Sequence, residues 1–145
     1  MATLTFGSFW FSTEMATVSD PGVPTKVNGL TTAVLLEGFA HTDNRLTNIG
    51  VGRTYDVQFS GTIALSAGAA DDSVVVLGLR KNGAATPGGW VGRNLDVAKV
   101  AEWGAIGCGT QVYLDTSDYI ELWLSSSTGE PITINGGTVT LKVIG

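Results

Sequence analysis

The sequence predicts an all-β fold, an antiparallel β-sandwich of the jelly-roll kind, and three observations carry that prediction. Apolar residues recur at alternate positions in two stretches, at Tyr55, Val57, Phe59, Ile63 and Leu65 and again at Val139, Leu141 and Val143. Period two is the pattern of a strand with one face in a core. Asn82-Gly83 and Asn135-Gly136 supply residues that tolerate positive φ, as a tight hairpin requires. No convincing helix interrupts these signals, and counting them gives about eight to ten short strands.

In chain order, residues 3–11 read as an aromatic-rich strand containing Phe6, Phe9, Trp10 and Phe11. Residues 19–24, with Pro21, Gly22 and Pro24, form a turn or loop. Strands follow over residues 31–39 and, more briefly, 45–49. Within residues 55–65, Gly61 breaks the apolar row, which points to a bulge or to close approach by a neighbouring strand. Residues 73–80 form a strand that ends at Asn82-Gly83. Residues 84–94, holding Pro87, Gly88, Gly89 and Trp90, are expected as a long exposed loop. Residues 95–103 are the best helical candidate, yet their β-branched, glycine-bounded context favours a strand. The chain closes with residues 132–134, a hairpin turn at 135–137, and residues 138–143.

Two strands depart from simple alternation. Residues 74–79 are apolar on both faces. Residues 119–124 set Ile120, Leu122 and Leu124 on one face and Tyr119 and Trp123 on the other. An antiparallel sandwich strand ordinarily turns one polar face to water.

Length and composition narrow the function. At 145 residues the chain makes one domain, residues 1–145, able to build a core without a disulfide or metal. A net charge of −5 and a single adjacent basic pair, Arg80 and Lys81, argue against nucleic acid and anionic membrane as partners. Charged residues make up only 14%, against about 25% in an average soluble domain. A small chain so poor in charge is expected to hide part of its surface against another protein. Residues 1–12 carry no signal-peptide pattern, and no apolar run is long enough to span a membrane.

The residues give no support to catalysis. His41 stands near Asp43 without a nucleophile to complete a triad, and reads as a polar loop histidine. Cys108, between two glycines, has nothing nearby in sequence to lower its pKa and reads as a small buried residue. Zinc needs three or four Cys or His ligands, and the chain holds one of each. Asp71-Asp72, Asp43-Asn44 and the pair Asp115 and Asp118 offer oxygens to calcium, but none matches a spaced ligand loop. No enzyme activity and no cofactor are expected. Among the tryptophans, Trp90 is expected to be exposed, and Trp10, Trp103 and Trp123 to pack.

The run Val112-Tyr113-Leu114, then Asp118-Tyr119-Ile120-Glu121-Leu122-Trp123, resembles the late strands of the tumour necrosis factor and complement-globular-head jelly rolls. Gly52, Tyr55, Val57 and Phe59 resemble an earlier strand of that superfamily, and residues 73–83, with Lys81-Asn82-Gly83, resemble the next. The resemblance covers about residues 44–145. It departs from the pattern at Ser117, where glycine is usual, so that turn is open to change. The resemblance implies a compact homotrimer, which would account for the two doubly apolar strands, with Val76, Tyr119 and Trp123 as interprotomer contacts.

In its short, Gly-, Thr- and Asn-rich form the sequence resembles domains of tailed-phage virions, both fibre tips and head decoration (cement) proteins. With no stalk ahead of the domain, decoration is the expected role. Its partners are then the chain itself and the major capsid protein, its location the outer capsid surface after assembly in the host cytoplasm. Residues 1–25 are the expected docking or inter-subunit segment. Phe6, Phe9, Trp10, Phe11 and Trp90 are the candidates for contact with the shell or a ligand. The alternative is a receptor- or glycan-binding tip domain of a tail fibre or adhesin.

Overall fold

Alternation of apolar and polar residues becomes pleated strand along nearly the whole chain. A computed structural model describes residues 5–11, 15–27, 31–99 and 102–145. The strands are β1 (Phe6–Phe11), β2 (Met15–Thr17), β3 (Thr25–Lys26), β4 (Thr31–Glu37), β5 (Phe39–Thr42) and β6 (Arg45–Asn48). They continue with β7 (Arg53–Leu65), β8 (Ser73–Lys81), β9 (Ala84–Leu95), β10 (Gly104–Leu114), β11 (Tyr119–Ser126) and β12 (Ile132–Val143).

Two antiparallel sheets form. The β7 sheet runs β10-β7-β12-β1-β4, with β2 added to β12. The β8 sheet runs β5-β6-β11-β8-β9, with β3 added to β11. The chain passes from one sheet to the other at Gly38, whose φ of 80° suits glycine. What reads as one strand over residues 31–39 is therefore β4 followed by the start of β5.

The inward rows of both sheets meet in a single core. Tyr55, Val57, Phe59, Ile63 and Leu65 of β7 join Phe9, Phe11, Val139 and Leu141, and face Leu77, Leu79, Ile120, Leu122 and Leu124. Each such side chain contributes roughly 1.5–3 kcal/mol on burial. The aromatics interlock edge to face, with ring centroids 5.8 Å apart for Phe9 and Phe11 and 6.2 Å for Phe11 and Phe59. Tyr55 is fully buried, and its hydroxyl pairs with that of Thr5 at 3.0 Å.

Gly61 serves close approach. A Cβ placed there would stand 2.7 Å from the Gly137 Cα, and one on Gly137 would stand 2.7 Å from the Phe59 ring. The paired glycines let β7 and β12 meet above the Phe11 and Phe59 rings. The expected hairpin at residues 135–137 does not form. Instead β12 runs straight through, and Gly136, at φ 67°, sits where its register against β7 shifts. The residues that build a tight turn also build a bulge.

The same substitution of bulge for loop explains residues 84–94. They form most of β9, and the register against β8 shifts where Pro87, Gly88 and Gly89 lie. There the Thr86 hydroxyl donates to the Leu79 carbonyl at 2.8 Å in place of a ladder bond. The Asn82-Gly83 hairpin does form, with φ of 52° and 80°. In the described part of residues 95–103 a short 3-10 turn, Val97–Lys99, replaces the expected strand, and Asp72 and Asp96 carboxylates accept its first N–H groups.

Substituting Gly61 by alanine should lower unfolding stability by about 2 kcal/mol, because a rigid backbone neighbour must move. A urea midpoint unchanged in Gly61→Ala would contradict the close approach.

Candidate functional site

Strand pairing, not sequence proximity, gathers the side chains with recognition chemistry. On β8, Val76, Gly78 and Arg80 point away from the core, and on β11 so do Tyr119, Glu121, Trp123 and Ser125. Gly78 pairs with Trp123 on one side and with Trp90 of β9 on the other. Two indoles therefore stand in one cross-strand row with a glycine between them. The hollow this leaves, about 130 Å³, is lined by Val76, Arg80, Trp90, Trp123, Pro24 and Ala85 among others.

Below that hollow lies a charge cluster. Glu121 is only 2% exposed, and its carboxylate meets Lys26 Nζ at 2.7 Å and Arg45 Nη2 at 2.8 Å. Trp123 Nε1 donates to its other oxygen at 3.3 Å. The Arg45 guanidinium lies 4.0 Å from the centre of the Tyr119 ring, and the Arg80 guanidinium 4.6 Å from that of Trp123. Asp43 joins the cluster from the surface. Its hydrogen bond from Lys26 holds its carboxyl below the usual range.

The outer face of the β7 sheet is different in kind. Trp10 (43% exposed), Leu35 (58%) and Tyr113 (53%) open to solvent there, with Val34 next to Leu35 on β4. Phe6, Ser8, Leu35, Gln58 and Lys142 surround a shallow hollow of about 400 Å³. On the edge strand β10 the outward residues Gly107 and Gly109 leave the surface flat. β4, the other edge, carries neither proline nor lysine to discourage pairing.

These positions sort the residues singled out in the sequence. Val76, Tyr119 and Trp123 do share one face, the outer face of the β8 sheet, and the latter two are half-covered by arginines of the same chain. The aromatic run in β1 splits by alternation: Phe9 and Phe11 are core residues, so neither is free to dock, while Trp10 is exposed and Phe6 half-buried on the β7 sheet. β1 is an interior strand between β12 and β4, which makes this part of residues 1–25 integral to the sandwich. Residues 1–4 and 12–14 of that segment lie outside the described residues. Trp90 is exposed as expected, though on a strand.

The chemical candidates are absorbed by structure. His41 Nε2 bonds the Thr31 hydroxyl at 2.9 Å, its ring stacks on Phe9, and burial lowers its pKa. Cys108 faces the core from β10, and burial pushes its thiol up to about 11. Asp118 accepts from Asn82 Nδ2 at 2.8 Å and from the Asp115 N–H at 2.8 Å, which keeps its carboxyl low. Among the described residues no three His, Cys, Asp or Glu side chains gather in metal-binding range. At Ser117 the turn keeps the left-handed backbone, φ 76°, without the usual glycine.

Among the described residues no helix is long and apolar enough to cross a membrane. No protein-family model matches the chain, and no curated protein matches it in sequence. Solved structures do match. Murine APRIL at pH 5.0 aligns at TM-score 0.62 and 9% identity over 97% of this chain and 100% of that one. The fold is the tumour necrosis factor jelly roll. The globular domain of zebrafish complement 1qA protein aligns at TM-score 0.58 and 11% identity, covering 97% and 98% of the two chains. The Eiger TNF of S. frugiperda aligns at 0.55 and 10%, covering 98% and 93%. At such identities the likeness establishes the architecture alone.

Removing the charge on Glu121 takes the buried carboxylate from Lys26 and Arg45 and leaves them only the exposed Asp43 as a shared partner. Glu121→Gln should destabilise the fold by about 3 kcal/mol in chemical denaturation, as for other broken buried pairs. A loss below about 0.5 kcal/mol, the scale of a surface pair, would contradict the buried role.

Proposed function

We propose that this chain is a virion structural protein, a homotrimer that decorates the outer surface of a capsid and stabilises the shell. The observation that carries this reading is the outer face of the β7 sheet, where Trp10 on β1 and Leu35 on the edge strand β4 stand open at one side and Tyr113 at the other, on the glycine-containing edge strand β10. An apolar face of this kind on a chain with 14% charged residues asks for a protein cover. A second and third copy of the chain supply it, each laying an edge against its neighbour's β7 sheet. The glycines of β10 permit the close backbone approach.

In this arrangement the subunit contact lies on the β7 sheet. The β8 sheet, with Val76, Tyr119 and Trp123, is left for the shell or another partner. A threefold particle matches threefold and quasi-threefold positions between capsomers. Binding only the assembled lattice, it stabilises that lattice by mass action. The exposure of Trp90 favours a second reading, a receptor- or glycan-binding tip domain.

Sedimentation of the purified chain at micromolar concentration should give three times 15.0 kDa, and Leu35→Asp should shift it toward the single chain. Antibody against the chain should label the heads of the parent particles, and stripped heads should lose resistance to heat. A single-chain species in sedimentation contradicts the trimer, and label confined to tails contradicts decoration.

A further inference from the structure

The outer face of the β8 sheet carries a slot whose construction points to a ligand. Trp90, Gly78 and Trp123 occupy three adjacent strands at one level, so the missing side chain of Gly78 opens a gap between two indoles. Its backbone does not demand glycine. A Cβ there would meet the Trp90 Cβ at 3.4 Å, an ordinary contact, and the residue has no positive φ. Glycine here keeps space open.

The walls are fixed before anything binds. Trp123 is held by its Nε1 bond to Glu121 and by the guanidinium of Arg80 over its ring. Arg80 is held in turn by that ring and by a 2.9 Å bond from Nη1 to the Gly83 carbonyl. Among the described residues no other hydrogen bond engages its guanidinium. Trp90, 62% exposed, forms the open wall.

We propose that this slot binds one acidic pyranose, such as a uronic or sialic acid residue at the end of a surface glycan. Three features select that class. The C–H edges of a pyranose carry slight positive charge and lie well on the negative face of an indole. Arg80 is the single charged side chain among the described residues lining the hollow, on a chain of net charge −5, and a guanidinium pairs bidentately with a carboxylate. A volume of about 130 Å³ falls below the roughly 300 Å³ of pockets for larger ligands, so one ring enters and the rest of the glycan stays outside. The inference sharpens the tip-domain reading without depending on it. Sugar binding and particle location are measured separately, and either can fail alone.

The test is titration of the isotope-labelled full chain with D-glucuronic acid, using D-glucose and acetate as controls, followed by nuclear magnetic resonance. Glucuronic acid should shift the indole signals of Trp90 and Trp123 saturably, leaving Trp10 and Trp103 unmoved. Glucose should bind about tenfold more weakly, and Arg80→Gln should bring the acid down to that level. Gly78→Val, which fills the slot, and Trp90→Ala, on a solvent-exposed side chain, should each abolish the saturable shift. Trp90→Ala decides the matter if Gly78→Val fails to fold. The proposal is overturned if no acidic sugar shifts Trp90, if glucose binds as well as the acid, or if acetate reproduces the whole effect. It is equally overturned if an acidic peptide titrates these signals and the sugars do not.

Discussion

A strand's pleat sends alternate side chains to opposite faces, and a two-sheet sandwich has only one interior to receive them. The outward row of every strand must therefore meet water or another surface, and the two sheets answer differently. On the β8 sheet the outward aromatics are covered from within: Arg45 lies over Tyr119, Arg80 over Trp123, and Glu121 ties Lys26 and Arg45 down between them. On the β7 sheet Trp10, Leu35 and Tyr113 have no such cover among the described residues. The proposed division, assembly through the second and recognition through the first, is built on that asymmetry.

The interior depends on close contact between β7 and β12. With side chains at Gly61 and Gly137 the strands would separate, and the rings of Phe11 and Phe59 would lose their seat. The same economy of side chains recurs on the surface along β10, where a Cβ on Gly107 or Gly109 would crowd β7, and at Gly78, which leaves a hollow between Trp90 and Trp123. Inside, the space is filled by the protein's own backbone.

The architecture was largely legible because alternation is local. Tyr55 to Leu65 could be read directly as a half-buried strand, and Asn82-Gly83 as a hairpin. Pro87, Gly88 and Gly89 misled because a register shift in β9 uses the residues a loop uses. Asn135-Gly136 misled for the same reason. The candidate site was legible only in part. Trp90 and Trp123 could be singled out by type, but their meeting across Gly78 depends on the pairing of three strands distant in sequence. Glu121 gave no signal as a buried carboxylate, since its partners come from β3 and β6. In β1 the aromatic run looked like a single adhesive segment, whereas alternation places Phe9 and Phe11 in the core and Trp10 outside.

The measurement that bears most directly on the assembly face is hydroxyl-radical footprinting of the native chain at micromolar concentration. If copies of the chain cover the β7 sheet, Trp10 and Leu35 are protected while Trp90, open on the other sheet, is modified rapidly. Modification of Trp10 and Leu35 at rates matching their exposure in the single chain would contradict that account.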